Sequence, residues 1–497
     1  MLAAAGLALI QLFAWKSLLY MSIGVIFGLI MGILPGLGGI ITLSLLIPFV
    51  YGMNPAEAFA LLLGAESAVA FGGAITAILL NVPGTSENVA TCWDGFPLTK
   101  QGQGARGIYA AGIATALGSI FGTIILVATI PVVRPLVLTF GPAEYFMLAL
   151  MGIAVIALLT GKSVVKGVIS GGLGLLLAMV GEDPVSGDYR FTLGLINLYD
   201  GFEFAAFVIG IFAVAEMIET YVSASAIARK RTASLGTAGV WAELKEVLQH
   251  WRTLLRSSII GTIIGIIPGV GGSVANVVAY GYEVRSAKDP RRFGKGAIEG
   301  VIAPQAADNA REGGALIPTI AFGIPGSGGM AILLGAFLIL GLIPGQEMFT
   351  KHLDTVFVMA WTIVAGNLLA TFLGIAATGW LEKVAHLRPA LLVPGVLVIS
   401  YIGAYAINNS MFEVLTAVIF GFLGYWMKKY DYSRQTMVIG LVLGGIVEKN
   451  YQLAYQLYGW HFFLRPYTLL ILLLGVLVFL LPYLRKPASQ QKGGVPA

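Results

Sequence analysis

The sequence predicts an all-α integral membrane protein with two inverted-topology repeats and about 10 to 13 membrane segments, several of them broken or re-entrant. Three observations lead to this prediction. Of the 497 residues, 57% are hydrophobic and only 11% are charged, which is too little charge for the surface of a soluble protein. Many hydrophobic stretches are interrupted by Gly and Pro. The stretch GILPGLGG at 32–39 recurs as GIIPGVGG at 265–272.

The amino-terminal stretch is mostly apolar, and no basic region precedes its apolar run. A cleaved signal peptide would need such a region. We therefore expect residues 1–16 to form an interfacial or first membrane helix. The first membrane repeat is then predicted to span 17–222.

A polar and basic stretch separates the two halves. Residues 223–256 include three consecutive basic residues at 229–231, and the positive-inside rule predicts a cytoplasmic linker. Within it, 241–255 has apolar side chains at helical spacing, which predicts an amphipathic helix on the membrane surface. The second membrane repeat is predicted at 257–485. The tail at 486–497 is predicted to be disordered and cytoplasmic.

The repeat extends beyond the PGxGG motif. Residues 64–85 align without gaps with 306–327, so that Glu66 pairs with Asp308. Each half therefore has two breaks in the same order: a PGxGG turn, then a Pro-Gly followed by Thr or Ser. A single Pro-Gly in a membrane helix is typical of a kink or of close helix packing. Four breaks in matched pairs favour a binding site.

Charge favours opposite orientations for the two copies. The second PGxGG copy directly follows the basic linker, whereas the first follows a stretch whose only charge is Lys16. The basic clusters at 285–295 and 428–434 are also predicted to be cytoplasmic. Inverted repeats with paired broken helices are the architecture of ion-coupled secondary transporters.

Broken helices can supply binding chemistry. In hydrocarbon, an interrupted backbone persists only where protein buries it or where it lines a water-filled cavity. A free helix N-terminus favours a carboxylate, and free carbonyls suit a cation such as Na⁺. The predicted substrate-binding residues lie at the two later breaks: Asn81, Pro83, Gly84, Thr85, Ser86, Gly323, Pro325, Gly326, Ser327 and Gly328. The candidate cation-binding residues are Gly36, Gly38, Gly39, Glu66, Ser67, Gly269, Gly271, Gly272, Asp308 and Asn309.

Glu66 and Asp308 are functional candidates because a charge within an apolar span is costly. For Asp308, an alternative is a local ion pair with Arg311. Cys92 is the only cysteine and the four histidines lack ligand spacing, so no metal site other than one for Na⁺ is expected. No nucleophile–base pattern predicts an enzyme. The net charge is +5, and the basic residues cluster between the predicted spans, so they do not indicate nucleic-acid binding.

These motifs resemble the large membrane subunit of tripartite tricarboxylate transporters, the TctA family. The family signature is a run of regularly spaced glycines leading into Pro-Gly-x-Gly. NVPGT followed by WDGFPLTKQGQG, GEDPVSGDYRFTLG at 181–194, and GGALIPTIAFGIPGS are also similar to family blocks. The resemblance covers 17–485. Gln305 departs from the glutamate expected in the family's APE segment. The signature is matched by Gly24, Gly28, Gly32, Pro35, Gly36 and Gly38, and largely again by Gly261, Gly265, Pro268, Gly269 and Gly271.

The resemblance implies several properties. It implies a multi-pass protein of the bacterial inner membrane that works with a small four-helix membrane subunit and a periplasmic solute-binding protein. It implies import of citrate or another organic acid anion, driven by a gradient of Na⁺ or H⁺, with an elevator-like movement. No other cofactor is expected. The alternatives are a stand-alone cation antiporter or exporter, and a scaffold subunit with no pathway of its own.

Overall fold

The protein is almost entirely helical in the computed structural model, which describes residues 1–159, 163–183, 186–223, 239–384 and 389–484. The first half contains α1 (Leu2–Leu12), α2 (Trp15–Ile33), α3 (Gly39–Leu46), α4 (Pro55–Leu80), α5 (Val89–Lys100), α6 (Gly104–Leu138), α7 (Pro142–Leu159), α8 (Val164–Ala178), the hairpin β1 (Gly181–Glu182) and β2 (Tyr189–Arg190), α9 (Phe204–Val208) and α10 (Ala215–Ser223).

The second half is built the same way, from long helices mixed with short ones. It contains α11 (Val240–Gln249), α12 (Trp251–Ile266), α13 (Gly272–Ser286), α14 (Glu299–Phe322), α15 (Gly328–Ile339), α16 (Gln346–Thr350), α17 (Leu353–Ala376), α18 (Thr378–Val384), α19 (Pro389–Asn408), α20 (Met411–Lys429), α21 (Arg434–Tyr458) and α22 (Pro466–Leu484).

Among the described residues, six helical runs are long and apolar enough to cross a membrane: α2, α4, α6, α9 with α10, α17 and α20. A seventh crossing is formed if the pair α21 and α22, bent by 65°, is one span. The chain is therefore a multi-pass α-helical membrane protein. Six shorter apolar helical runs accompany these spans. The larger number of 10 to 13 segments stays a prediction.

Helix α14 is long enough to cross but carries charges. Asp308, Arg311 and Glu312 lie in its middle, and each is at most 4% exposed. Ionised side chains at membrane depth are tolerated only when they face the protein interior or a polar cavity. Helices α6 and α12 pack along α14 and provide this enclosure.

Glycines allow the central helices to pack backbone against backbone. A Cβ atom on Gly28 of α2 would lie 2.2 Å from the carbonyl oxygen of Ala65 on α4. In the second half, a Cβ atom on Gly261 of α12 would lie 2.0 Å from the carbonyl oxygen of Ala307 on α14. Both distances are far below van der Waals contact, so these two helix pairs require glycine there.

Each half also breaks its helices in the same way. The PGxGG turns have a positive φ at Gly36 (87°) and Gly269 (79°). Helices α4 and α14 both end in a left-handed residue, Asn81 with φ 57° and Gly323 with φ 67°. Left-handed residues end helices because they redirect the chain without a further helical hydrogen bond.

The stretch 241–255, predicted to form an amphipathic helix on the membrane surface, is divided between two helices. The chain turns at His250, and α11 ends where α12 begins. Helix α11 packs on α6, with Arg106 Nε donating to Glu246 Oε2 at 3.0 Å. Trp241 at its other side remains 82% exposed. The basic residues at 229–231 and the tail at 486–497 lie outside the described residues.

Residues 1–16 contain α1 and the first two residues of α2. Helix α1 is too short to cross a bilayer. It packs on α17, where Gln11 Nε2 donates to Asp354 Oδ2 at 3.1 Å and Trp361 Nε1 donates to the carbonyl oxygen of Ala5 at 3.3 Å. The most extensive cluster of buried hydrophobic side chains among the described residues includes side chains of α4, α15 and α17.

Candidate functional site

The helix breaks of both halves converge on one cavity of about 770 Å³. Its wall combines backbone from the breaks with charged side chains from α4, α10, α14, α20 and α21. The predicted residues in its lining are Pro83, Gly84, Thr85, Ser86, Pro325, Ser327 and Gly328 from the substrate set, and Gly36, Gly38, Gly39, Glu66, Gly269, Gly271 and Gly272 from the cation set.

The break at 83–86 presents a polar wall whose geometry is fixed by Asn88. Thr85 Oγ1 donates to Asn88 Oδ1 at 2.8 Å, and Asn88 Nδ2 donates to the carbonyl oxygen of Ala70 at 3.1 Å. Asn88 is fully buried, whereas Ser86 is exposed and lines the cavity. The buried amide thus holds Thr85 while leaving the Ser86 hydroxyl accessible.

The break at 325–328 presents the start of a helix. Ser327 is the N-cap of α15, and its Oγ accepts a hydrogen bond from the backbone N–H of Met330 at 3.3 Å. Gly328 follows directly and also lines the cavity. The first turn of a helix has free N–H groups and partial positive charge. This part of the wall suits a carboxylate.

Three predicted substrate-binding residues lie outside the cavity lining. Asn81 is exposed at the end of α4, and Gly323 ends α14 beside Pro344. Gly326 is buried behind the wall, where its carbonyl oxygen accepts a hydrogen bond from the N–H of Gly269 at 3.3 Å. This bond ties the two breaks of the second half to each other.

Ser67 and Asn309, which the alignment pairs, also lie outside the lining. Ser67 contacts Gly366 on α17. Asn309 Nδ2 donates to Thr115 Oγ1 on α6 at 3.2 Å. Both residues therefore face a flanking helix, about 100° around the helix from their neighbours Glu66 and Asp308.

Glu66 lines the cavity from the middle of α4 and is 8% exposed. Its carboxylate lies between the first turns of α3 and α15: a Cβ atom on Gly39 would be 2.5 Å from Glu66 Oε2, and one on Gly329 would be 2.6 Å from Glu66 Oε1. Oε2 is buried and has no hydrogen-bond partner. The site thus contains a buried carboxylate with one oxygen that lacks a hydrogen bond.

Asp308 is paired with Arg311, as the alternative for this residue anticipated. Arg311 Nη2 lies 3.4 Å from Asp308 Oδ1. Asp308 itself does not belong to the lining, but Arg311 does. Both side chains lie against Gly272 at the start of α13. The pair therefore stands behind the second PGxGG turn and presents a guanidinium to the cavity.

Arg311 is surrounded by acidic groups. Four carboxylates interact electrostatically with it: Asp308, Glu87, Glu312 and Glu66. From the sequence, Arg311 is predicted only as an ion-pair partner of Asp308, and neither Glu87 nor Glu312 is predicted for the site. The usable signal was the density of charge in a helix otherwise rich in alanine and glycine.

A second charged group also lines the cavity. Lys428 Nζ lies 2.9 Å from Glu216 Oε1, and Arg434 Nη2 lies 3.4 Å from Glu216 Oε2. All three residues line the cavity. Lys428 also pairs with Glu219 at 2.5 Å. None of these charged residues was among the residues predicted for the site from the sequence.

The junction of α11 with the rest of the protein carries titratable groups outside the spans. His250 Nε2 lies 3.1 Å from Glu299 Oε1, and Arg292 also contacts this carboxylate. The hydrogen bond to Glu299 raises the pKa of His250 above its usual value. Burial alone would raise the pKa of Glu299, but the hydrogen bonds from His250 and Arg292 lower it to about 2.

Within the described residues, no group of three or more His, Cys, Asp or Glu side chains is arranged to hold a metal ion. Cys92 is buried and free. The cavity therefore offers backbone N–H groups, hydroxyls, two guanidinium groups, one ammonium group and several carboxylates. Such a cavity can hold a small anion together with a cation.

These features define the chain as a multi-pass membrane protein with a polar cavity between broken helices. The model of the tripartite tricarboxylate transporter TctA family matches residues 18–439, and the chain belongs to this family, which is one of transport proteins. No solved structure matches the chain.

Two relatives from Agrobacterium vitis are similar to the chain. The "uncharacterized 52.8 kDa protein in TAR-I ttuC' 3'region" is 31% identical over 438 residues, which are 87% of this chain and 86% of that protein. The "uncharacterized protein in TAR-II ttuC' 3'region" is 33% identical over 198 residues, which are 39% of this chain and 80% of that protein.

Proposed function

We propose that this chain is the large permease subunit of a binding-protein-dependent secondary transporter that imports carboxylates by symport with Na⁺ or H⁺. Citrate or another organic acid anion is the proposed cargo. The observation that carries the proposal is the shared cavity, which both pairs of helix breaks line together with Arg311. Membership in the TctA family supports transport as the general activity.

We further propose that the two halves are inverted repeats. Glycines at equivalent positions of the two halves allow equivalent helices to pack closely. Gly28 of α2 lies against Ala65 of α4, and Gly261 of α12 lies against Ala307 of α14. Helices α4 and α14 both end in a left-handed residue. The position of the basic linker supports opposite orientation. An elevator-like movement of the region that carries the breaks would then expose the cavity to each side in turn.

Cation coupling follows from the charge of the cargo. Moving an anion into an inside-negative cell costs about 2.3 kcal/mol per charge per 100 mV. A dianion or trianion must therefore enter with at least as many cations to avoid opposing the membrane potential. The carboxylate of Glu66 and the backbone of the PGxGG turns are the proposed cation contacts.

The proposed partners are a small four-helix membrane subunit and a periplasmic solute-binding protein, with the complex in the bacterial inner membrane. Reconstitution of all three subunits in proteoliposomes tests the proposal. We expect uptake of radiolabelled citrate or another di- or tricarboxylate under an inward Na⁺ or proton gradient, and none without the binding protein. Absence of uptake for a panel of organic acids under both gradients would overturn the proposal.

The two alternatives predict other outcomes in the same system. A stand-alone antiporter would exchange cations when this chain is reconstituted alone. A scaffold subunit would contribute no pathway, so blocking the cavity would leave uptake unchanged. The polar cavity between the breaks favours a pathway through this chain.

A further inference from the structure

Glu66 and Asp308 occupy equivalent places in the two halves. The alignment pairs them, and each lies against the first glycine of the helix that follows a PGxGG turn, Gly39 for Glu66 and Gly272 for Asp308. The two carboxylates differ, however, in whether a basic side chain lies beside them on the same helix. This difference indicates which of the two halves binds a cation from solution.

Asp308 has a cation that belongs to the chain. Arg311 follows it by one helical turn and lies 3.4 Å from Oδ1. The residue equivalent to Arg311 in the first half is Val69, which is 2% exposed and carries no charge. Glu66 therefore has no fixed counter-cation on its own helix.

The cation that interacts electrostatically with Glu66 is Arg311 of α14, which is already paired with Asp308. The Oε2 atom of Glu66 is buried without a hydrogen bond, and the residue is more than nine-tenths buried. Neither α3 nor α15, whose first turns contact the carboxylate, contains a charged side chain. A buried carboxylate in this position is costly unless a cation or a proton joins it. The cavity gives such a cation access, because Glu66 is part of its wall.

We propose that Glu66 takes up the coupled monovalent cation, H⁺ or Na⁺, and that this step precedes binding of the substrate anion, while Arg311 acts as a permanent cation in the other half. The inference rests on the proposed cation-coupled import. The order of binding follows from the charged groups that face Glu66 from α14 and the turn before α5. Around Glu66 the acidic groups Glu312, Asp308 and Glu87 outnumber the one basic group, Arg311, so a cation bound there would reduce the repulsion of a substrate anion.

Equilibrium binding of radiolabelled substrate to the purified complex tests this inference. For the wild type, we expect saturating Na⁺ or a lower pH to raise the apparent substrate affinity by about 5- to 150-fold, the usual range for coupled sites. In Glu66→Gln the factor should fall to about 1 for the ion that is coupled. A Na⁺ titration at fixed pH and a pH titration in Na⁺-free buffer distinguish the two cations.

Glu57→Gln is the matched control, because Glu57 lies on the same helix but outside the cavity. It should keep the cation effect of the wild type. If Glu66→Gln does not yield a folded complex, Glu66→Asp keeps the charge on a shorter side chain and should raise the half-saturating cation concentration. A wild-type cation effect that persists unchanged in both Glu66 variants would overturn this inference. Absence of any substrate binding by the wild type would instead refute the proposed function.

Discussion

Replacing Gly28 or Gly261 with alanine tests whether the two halves depend on the same helix contact. The added Cβ atom would lie 2.2 Å from the Ala65 carbonyl oxygen in the first case and 2.0 Å from the Ala307 carbonyl oxygen in the second. Both contacts are to backbone, so no side chain can rotate away. The helices must separate instead, and overpacking of this kind costs about 1–3 kcal/mol.

Gly281→Ala is the control, because a Cβ atom at Gly281 of α13 would have no atom within 4 Å. Alanine is favoured over glycine inside a helix by about 1 kcal/mol, and all three variants gain this term. The difference between each packed variant and the control is therefore the overpacking cost alone. It is measured by thermal unfolding in detergent, followed by intrinsic tryptophan fluorescence. Equal melting temperatures for Gly28→Ala, Gly261→Ala and the control would refute the packing argument.

Three further predictions concern the cavity and the α11 junction. Ser327→Ala removes the N-cap of α15, and we expect a loss of about 1 kcal/mol in stability and a higher KM for uptake. Arg311→Lys keeps the charge but loses the planar guanidinium, and we expect a weaker substrate affinity with retained folding, measured by binding. For His250, whose pKa is raised by Glu299, the ion pair stabilises fully below about pH 6.5 and is lost as the pH rises through the raised pKa. The melting temperature of wild type minus that of His250→Gln should thus shrink from about pH 6 to pH 9, and a constant difference would contradict this.

The helix breaks could be predicted because their causes are local. Pro ends a helix, Gly permits a positive φ, and both residues recur at equivalent positions of the two halves. Gly36 and Gly269 have the positive φ that such turns need, and the residues around them line the cavity. A paired site could therefore be predicted from the Pro and Gly residues of short stretches that recur in both halves.

Side-chain direction could not be predicted in the same way. Ser67 follows Glu66 directly, yet Ser67 faces α17 while Glu66 lines the cavity. Successive residues of a helix point about 100° apart, and the rotation of α4 is set by the packing of its glycines on α2. Adjacency in sequence therefore grouped two residues that the fold separates.

The charged wall of the cavity was also beyond the sequence. Glu216, Lys428 and Arg434 meet through contacts that join α10 to α20 and α21. More than 200 positions separate Glu216 from each partner, and no repeat or motif connects them. A carboxylate at the end of a span and a basic residue before the next span each have a simple explanation at the membrane surface. Only the fold brings them together.

A shared binding site requires that the breaks of both halves enclose one substrate. Single cysteines at Ser86 and Ser273, one from each half and both in the cavity lining, test it after Cys92 is replaced. Ser286→Cys is the control, on the same helix as Ser273 but outside the lining. With a membrane-impermeant maleimide, the carboxylate substrate should slow labelling at both cavity positions and not at the control. Protection at only one position, or at neither, would contradict a shared cavity.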